Sequence, residues 1–177
     1  MARPWDADRM TQETLPAAGS YTLDPESTTI RCDCKAMFGL FTVHGTFRLS
    51  AGEVTIAADA GQSAVRATID AASYDSGNKT RDADVTSATL LDAKAFPEIT
   101  FTGSGVRQEG TDWVLSGSVT AHGITQAVPL LITQPQGEAG RFLATATLDR
   151  TAFGVTKKKG MVGNTVHLTI DARFSGS

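Results

Sequence analysis

Apolar and polar side chains alternate along most of this chain from about Tyr21 onward, and a period of two marks strands with one buried and one wetted face. The stretch TIRCDCKA sets Ile30, Cys32, Cys34 and Ala36 on one face, against Arg31, Asp33 and Lys35 on the other. VHGTFRLS continues with Val43, Phe47 and Leu49, and GEVTIAA with Val54 and Ile56. AVRATID aligns Val65, Ala67 and Ile69, and EITFTGS aligns Ile99 and Phe101. WVLSGSV follows, then VPLLITQ (Val128, Leu130, Ile132), RFLATATL (Phe142, Ala144, Ala146, Leu148) and VHLTIDARF (Val166, Leu168, Ile170, Ala172, Phe174). Turn signals at Ala51-Gly52, Asp59-Ala60-Gly61, Glu109-Gly110 and from Gly137 to Gly140 separate these runs. The pattern predicts an all-β fold, an extended antiparallel meander whose closure into a β-barrel removes exposed sheet edges.

One segment breaks the period. GNKTRDADVTSATLLDAKAFPE is too long for a hairpin, offers Asn78 and Ser87 as caps, and stops at Phe96-Pro97, where proline disfavours helix in the residue before it. It predicts a short helical insert of one or two helices between strands. Residues 1–20 mix charges, Pro4, Pro16 and Gly19 without any period and are expected to form a flexible N-terminal tail. The remainder, 21–177, suits a single barrel domain, since 177 residues is an ordinary one-domain length.

A barrel of about eight strands either fills its interior with side chains or holds one small ligand. The small inward residues Cys32, Cys34, Ala36, Ala67, Ala144, Ala146 and Ala172 favour a cavity, whereas Phe38, Phe41, Phe47, Phe101, Phe142 and Phe174 are bulky enough to fill it. Composition leaves the two open. A formal net charge of −3 offers no basic face for phosphates, so nucleic acid is not an expected partner. Nothing approaches the length of an integral membrane span, and MARPWDADRMTQETLPAAGS lacks the apolar core of a secretory signal. A soluble, cytoplasmic protein is the expectation.

Several stretches, in order, carry a resemblance to the YceI-like family of lipocalin-like, polyisoprenoid-binding proteins over roughly Tyr21 to Phe174. YTLDPESTTIRC is similar to that family's opening strand, and FGLFTVHGTF to its glycine-phenylalanine second strand. ATIDAASYDSGNKTRDADVTSATLLDAKAFPEITF resembles its long central signature, with Ile69-Asp70, Arg81-Asp82, Ser87, Leu91-Asp92, Phe96-Pro97 and Ile99-Thr100-Phe101. LSGSVTAHGITQAVPL, DRTAFGV and VHLTID look like its closing strands. The resemblance implies a lipocalin-like barrel around a hydrophobic tunnel for a long isoprenoid or other amphiphilic chain, bound without chemistry and without a cofactor. A quinone tail or fatty-acid derivative would suit the same tunnel. Homodimers are compatible with it, since such barrels often pair. Three positions in two stretches depart from the family: Ala36-Met37 replace a basic-His pair, and Asp84 stands where a His is usual. Both changes remove imidazoles that could meet a polar head group, so tunnel and fold carry over better than head-group contacts.

The expected tunnel wall comprises Ile30, Cys32, Cys34, Phe47, Val65, Ala67, Ile69, Phe101, Ala144 and Ala146. Cys32 and Cys34 could be a metal clip, a redox pair or wall. Residues i and i+2 of a strand point the same way about 6.6 Å apart, too far for the Cβ spacing of a disulfide. Zinc needs about four N or S ligands, and only His44, His122 and His167 remain. The wall reading is preferred. Alternating connections of a meander put the helical insert, the TAHGIT turn and the GVTKKKGMVGN connection at one end, giving a candidate mouth of Arg81, Asp82, His122, Lys157, Lys158 and Lys159. Arg81 and Asp82 also suit a structural part in fixing the insert, and the lysines a solvated loop. No nucleophile elbow, phosphate-cradling glycine loop or metal-binding His pair on a helix appears, and Asp24, Asp70 and Asp149 sit where turns use carboxylates. No catalytic residue is therefore expected. A structural or protein-interaction barrel with a filled core is the alternative function.

Overall fold

The computed structural model describes residues 17–110, 112–133 and 140–176. Most of the expected tail and the turn ahead of Gly140 lie outside the described residues. Ten strands are seen among them: β1 Gly19–Leu23, β2 Thr29–Ala36, β3 Phe41–Ile56, β4 Ala64–Asp75, β5 Glu98–Glu109, β6 Asp112–Ala121, β7 Ile124–Ala127, β8 Leu130–Thr133, β9 Arg141–Asp149 and β10 Val162–Gly176. All pairings are antiparallel, and the order β10-β2-β3-β4-β5-β6-β8-β9 returns to β10 through nine paired positions, from Thr165↔Asp149 to Arg173↔Arg141. The sheet is a closed eight-stranded barrel, as the alternation predicts.

The two extra strands are pieces of interrupted ones. β1 and β2 both lie between β10 and β3, and the step between them is a turn in which the Asp24 carboxylate accepts from Glu26 N and Ser27 Oγ. β7 and β8 both pair with β6. They are separated at Val128-Pro129, where proline has no N–H to give the ladder.

The expected turn at Ala51-Gly52 is corrected: the chain passes straight through as part of the 16-residue β3. Pairing slips between Leu49↔Ile69 and Ala51↔Thr68, so Ser50 is an extra residue. A bulge bends the strand and swaps its faces, which is why Leu49 and then Gly52 are both buried.

The insert between β4 and β5 forms a single helix among the described residues, α1 Lys79–Thr86, followed by turns to Phe96. Asn78 Oδ1 accepts from Arg81 N at 3.0 Å, the expected N-cap. Ser87 closes the other end, its N–H donating to Asp84 O. Leu90 and Ala93 are buried, and Leu90 joins the core that runs around the inside of the barrel. The insert is thereby packed across one barrel end.

Candidate functional site

The barrel encloses a cavity of about 1350 Å³, larger than the roughly 300–1,000 Å³ of ordinary small-molecule sites. Its lining runs from Ala18, Ala57 and Ser63 at one end to Met37, Asp84 and Lys158 at the other, so it follows the length of the barrel. Between them the walls are almost wholly apolar, contributed by the inward faces of β2, β3, β4, β5, β6, β8, β9 and β10.

Of the two interiors the composition leaves open, the aromatic rings favour the hollow one. Phe38 is outside, 81% exposed, and Phe41 sits at the rim of the cavity, 58% exposed. Phe142 stacks on Phe174 at 5.2 Å, Tyr21 packs edge-on to Phe174 at 5.3 Å, and Phe47 meets Tyr74 at 5.3 Å. Two glycines let further rings lie flat: a Cβ on Gly45 would overlap the Tyr74 ring, and one on Gly117 the Phe101 ring. The rings pack along the wall against one another and the backbone, and the lumen stays open.

Nine of the ten expected wall residues line this cavity: Ile30, Cys32, Cys34, Phe47, Val65, Ala67, Ile69, Phe101 and Ala144. Ala146 does not. It is buried in the core cluster. Both cysteines are free, Cys32 buried and Cys34 half-buried. Burial, with Cys34 and Asp33 nearby, pushes the Cys32 thiol up to about 12. Burial also raises Cys34, whose Sγ donates to Gly163 O at 3.2 Å. Thiols that resist ionisation act as small apolar surface. A disulfide reagent is expected to modify Cys34 before Cys32 and to reach both at free-thiol rates only after unfolding; free-thiol rates for Cys32 in the native protein would remove it from the wall.

The six mouth residues divide. Arg81 and Lys158 line the cavity, and Lys158 Nζ donates to Asp84 Oδ2 at 2.5 Å, tying the β9–β10 connection to α1. Asp82 turns away: its Oδ1 accepts from Ser76 N and Ser76 Oγ, holding the start of the insert. His122 also points elsewhere, with its ring 5.0 Å from Phe96 and its Nδ1 3.1 Å from Phe153 O. Lys157 and Lys159 are exposed outside the lining. These contacts do bring the insert, the His122 turn and the lysine connection to one end. Tyr74 also lines the cavity, its hydroxyl pushed up chiefly by burial. The departures Ala36, Met37 and Asp84 all line the lumen at that same end.

Arg150 was not among the expected residues. It is buried, lines the same end of the cavity, and donates to four carbonyls: Nε to Gly163 O (2.9 Å), Nη1 to Val155 O (2.7 Å) and Lys157 O (2.9 Å), and Nη2 to Val162 O (2.9 Å). No carboxylate among the described residues is paired with it. Its one trace in the sequence is its place after Asp149, whose carboxylate caps the turn by accepting from Thr151 N and Oγ1. Arg81, Arg150 and Lys158 therefore face this end of the cavity against the single carboxylate of Asp84, while Lys35 borders it with its Nζ turned to Thr42 Oγ1 at 2.8 Å.

The profile of the YceI-like domain matches residues 21–174. A UPF0312 protein of Pseudomonas putida (strain GB-1) is 32% identical, with 86% of this chain and 84% of the relative covered. Protein YceI of Salmonella arizonae is 28% identical over similar shares, 86% and 85%. Among solved structures, Burkholderia cenocepacia BcnA superposes with a TM-score of 0.71 at 24% identity, covering 86% of this chain and 99% of that one. A polyisoprenoid-binding domain from Saccharophagus degradans gives 0.67 at 15% identity, covering 89% and 98%.

Proposed function

Because the chain belongs to the YceI-like family, and its barrel is hollow and apolar, we propose that it binds one long-chain isoprenoid, quinone tail or fatty-acid derivative for storage or transport, without performing chemistry on it. The observation that carries this reading is the length and apolarity of the cavity. A buried methylene contributes about 0.8 kcal/mol, so a chain lying along the lumen gains affinity with every group buried, before the cost of ordering it. The polyisoprenoid-binding domain that shares this fold supports the ligand class. Native mass spectrometry of the purified protein beside its denatured mass, with organic extraction of what is released, is the direct test. A stoichiometric hydrophobic adduct is the expected result; an apoprotein that also ignores added isoprenoids and fatty acids would sink the reading.

The same reading orients the ligand. Three cations and one paired carboxylate face the Lys158 end, and charge is costly to bury without a partner, so an anionic head group belongs there with its tail along the lumen. Reversing Arg81 and Lys158 to Glu is expected to weaken an anionic amphiphile at least about tenfold more than a neutral one of equal length. Equal losses in a displacement titration would remove the orientation.

A further inference from the structure

The cavity opens beside an apolar patch that the binding of a chain does not use. The β2–β3 hairpin tip leaves Phe38 81% and Leu40 75% exposed, and neither lines the cavity. Met37, Phe41 and Met161 are also exposed, and these three do line it. The patch is therefore continuous with the lumen. It is also held in shape: Met37 N donates to Met161 O at 3.0 Å and Phe38 N to Gly160 O at 2.6 Å. The Phe38 ring lies over Gly160, where a Cβ would overlap it. Met37, Phe38 and Gly39 carry positive φ, a tight turn that holds the side chains outward.

Around this patch stand Lys35, Lys157, Lys158 and Lys159, all exposed, on a protein whose formal net charge is −3. The local sign is opposite to that of the whole. The acidic groups of α1 at this end are engaged, Asp84 by Lys158 and Asp82 by Ser76. Rigid exposed Phe, Leu and Met within a lysine collar match an anionic lipid surface, where the rings enter the head-group boundary and the lysines meet lipid charge. A second copy of this chain fits less well, because a two-fold contact on the patch sets one lysine run against the other.

We propose that this end of the barrel docks on membranes containing anionic lipid, placing the cavity mouth against the bilayer. The contact is independent of what the cavity holds. Its use, passing an apolar chain between bilayer and lumen without crossing water, rests on the binding function proposed above.

The test is flotation of the full chain with phosphatidylcholine vesicles, with and without phosphatidylglycerol, at low and physiological salt. Binding is expected only with phosphatidylglycerol and is expected to weaken with salt. Phe38→Ser with Leu40→Ser should lower partitioning at least about tenfold, and Lys157→Glu with Lys159→Glu by about fivefold or more for each charge. In vesicle-free solution the Phe38→Ser, Leu40→Ser protein should hold a fluorescent fatty-acid probe as the parent does. Failure of the parent protein to float with phosphatidylglycerol vesicles, or flotation indifferent to the Phe38 and Leu40 changes, overturns the proposal. So does a dimer in sedimentation velocity that those changes dissociate, which would assign the patch to a second copy. Flotation that responds to the patch in a protein that holds no probe upholds the docking and sinks the cavity function instead.

Discussion

A barrel carrying Ala67→Phe and Ala144→Phe is expected to fold normally and to lose long-chain binding. Both alanines are buried and line the lumen from different parts of the wall, β4 and β9. Each added ring enters space a ligand chain would occupy. Excluding about four methylenes forfeits roughly 3 kcal/mol at about 0.8 kcal/mol each, or about 200-fold in Kd. Overpacking a close-packed core usually costs about 1–3 kcal/mol, but here the rings have an open cavity of about 1350 Å³ to enter. The Tm of the ligand-free protein should hold or rise while the Kd for a long fatty acid climbs and that for a short one barely moves. Titration of a chain-length series with each protein checks this. A long chain bound as tightly by the variant would mean that ligands do not lie in the lumen.

That chain-length series depends on the inward faces, and these were the most legible part of the fold. Where strands are regular, alternation assigns the buried side correctly, from Ile30, Cys32 and Cys34 in β2 to Val166, Leu168, Ile170 and Ala172 in β10. It misread Ala51-Gly52 because a bulge and a turn draw on the same small residues, and only the pairing of β3 with β4 tells them apart. The hollow centre was less legible. Composition counts phenylalanines but not their directions, and Phe142 stacks on Phe174 only because β9 and β10 set positions 142 and 172 side by side. The notches at Gly45 and Gly117 act through residues distant in sequence, Tyr74 and Phe101.

The mouth was legible as a place but not as a set of contacts. Counting connections puts Arg81, His122 and the lysines at one end, and the contacts of Asp84 with Lys158 and of His122 with Phe96 and Phe153 join those segments. No local pattern says that His122 turns onto Phe96 while Lys158 reaches across to Asp84. Phe38, one of the rings bulky enough to fill the interior, sits instead at a positive-φ hairpin tip that carries it outward.

Arg150 governs the construction of that end, and its replacement by Met is expected to cost about 3–5 kcal/mol. Arg150 is 6% exposed, and its guanidinium collects the carbonyls of Val155, Lys157, Val162 and Gly163, which span the connection from the end of β9 into β10. Methionine matches the stem but donates nothing. Each carbonyl left buried without a donor costs about 1–3 kcal/mol, reduced where water can enter from the cavity. Arg150→Lys should recover part of the loss, because an ammonium has three donors in a compact head where the guanidinium presents a planar fork reaching four acceptors. Denaturant unfolding should therefore rank the parent above Arg150→Lys and both above Arg150→Met. Hydrogen exchange should locate the loosening in residues 155–163 rather than in β4 or β5. If the Met variant falls within about 0.5 kcal/mol of the parent, as a surface substitution would, then the four carbonyls do not depend on this side chain. If stability falls as expected, the positive charge facing the apolar cavity is there because the connection needs its donors, and the cavity gains its electropositive end from the same residue that closes the loop.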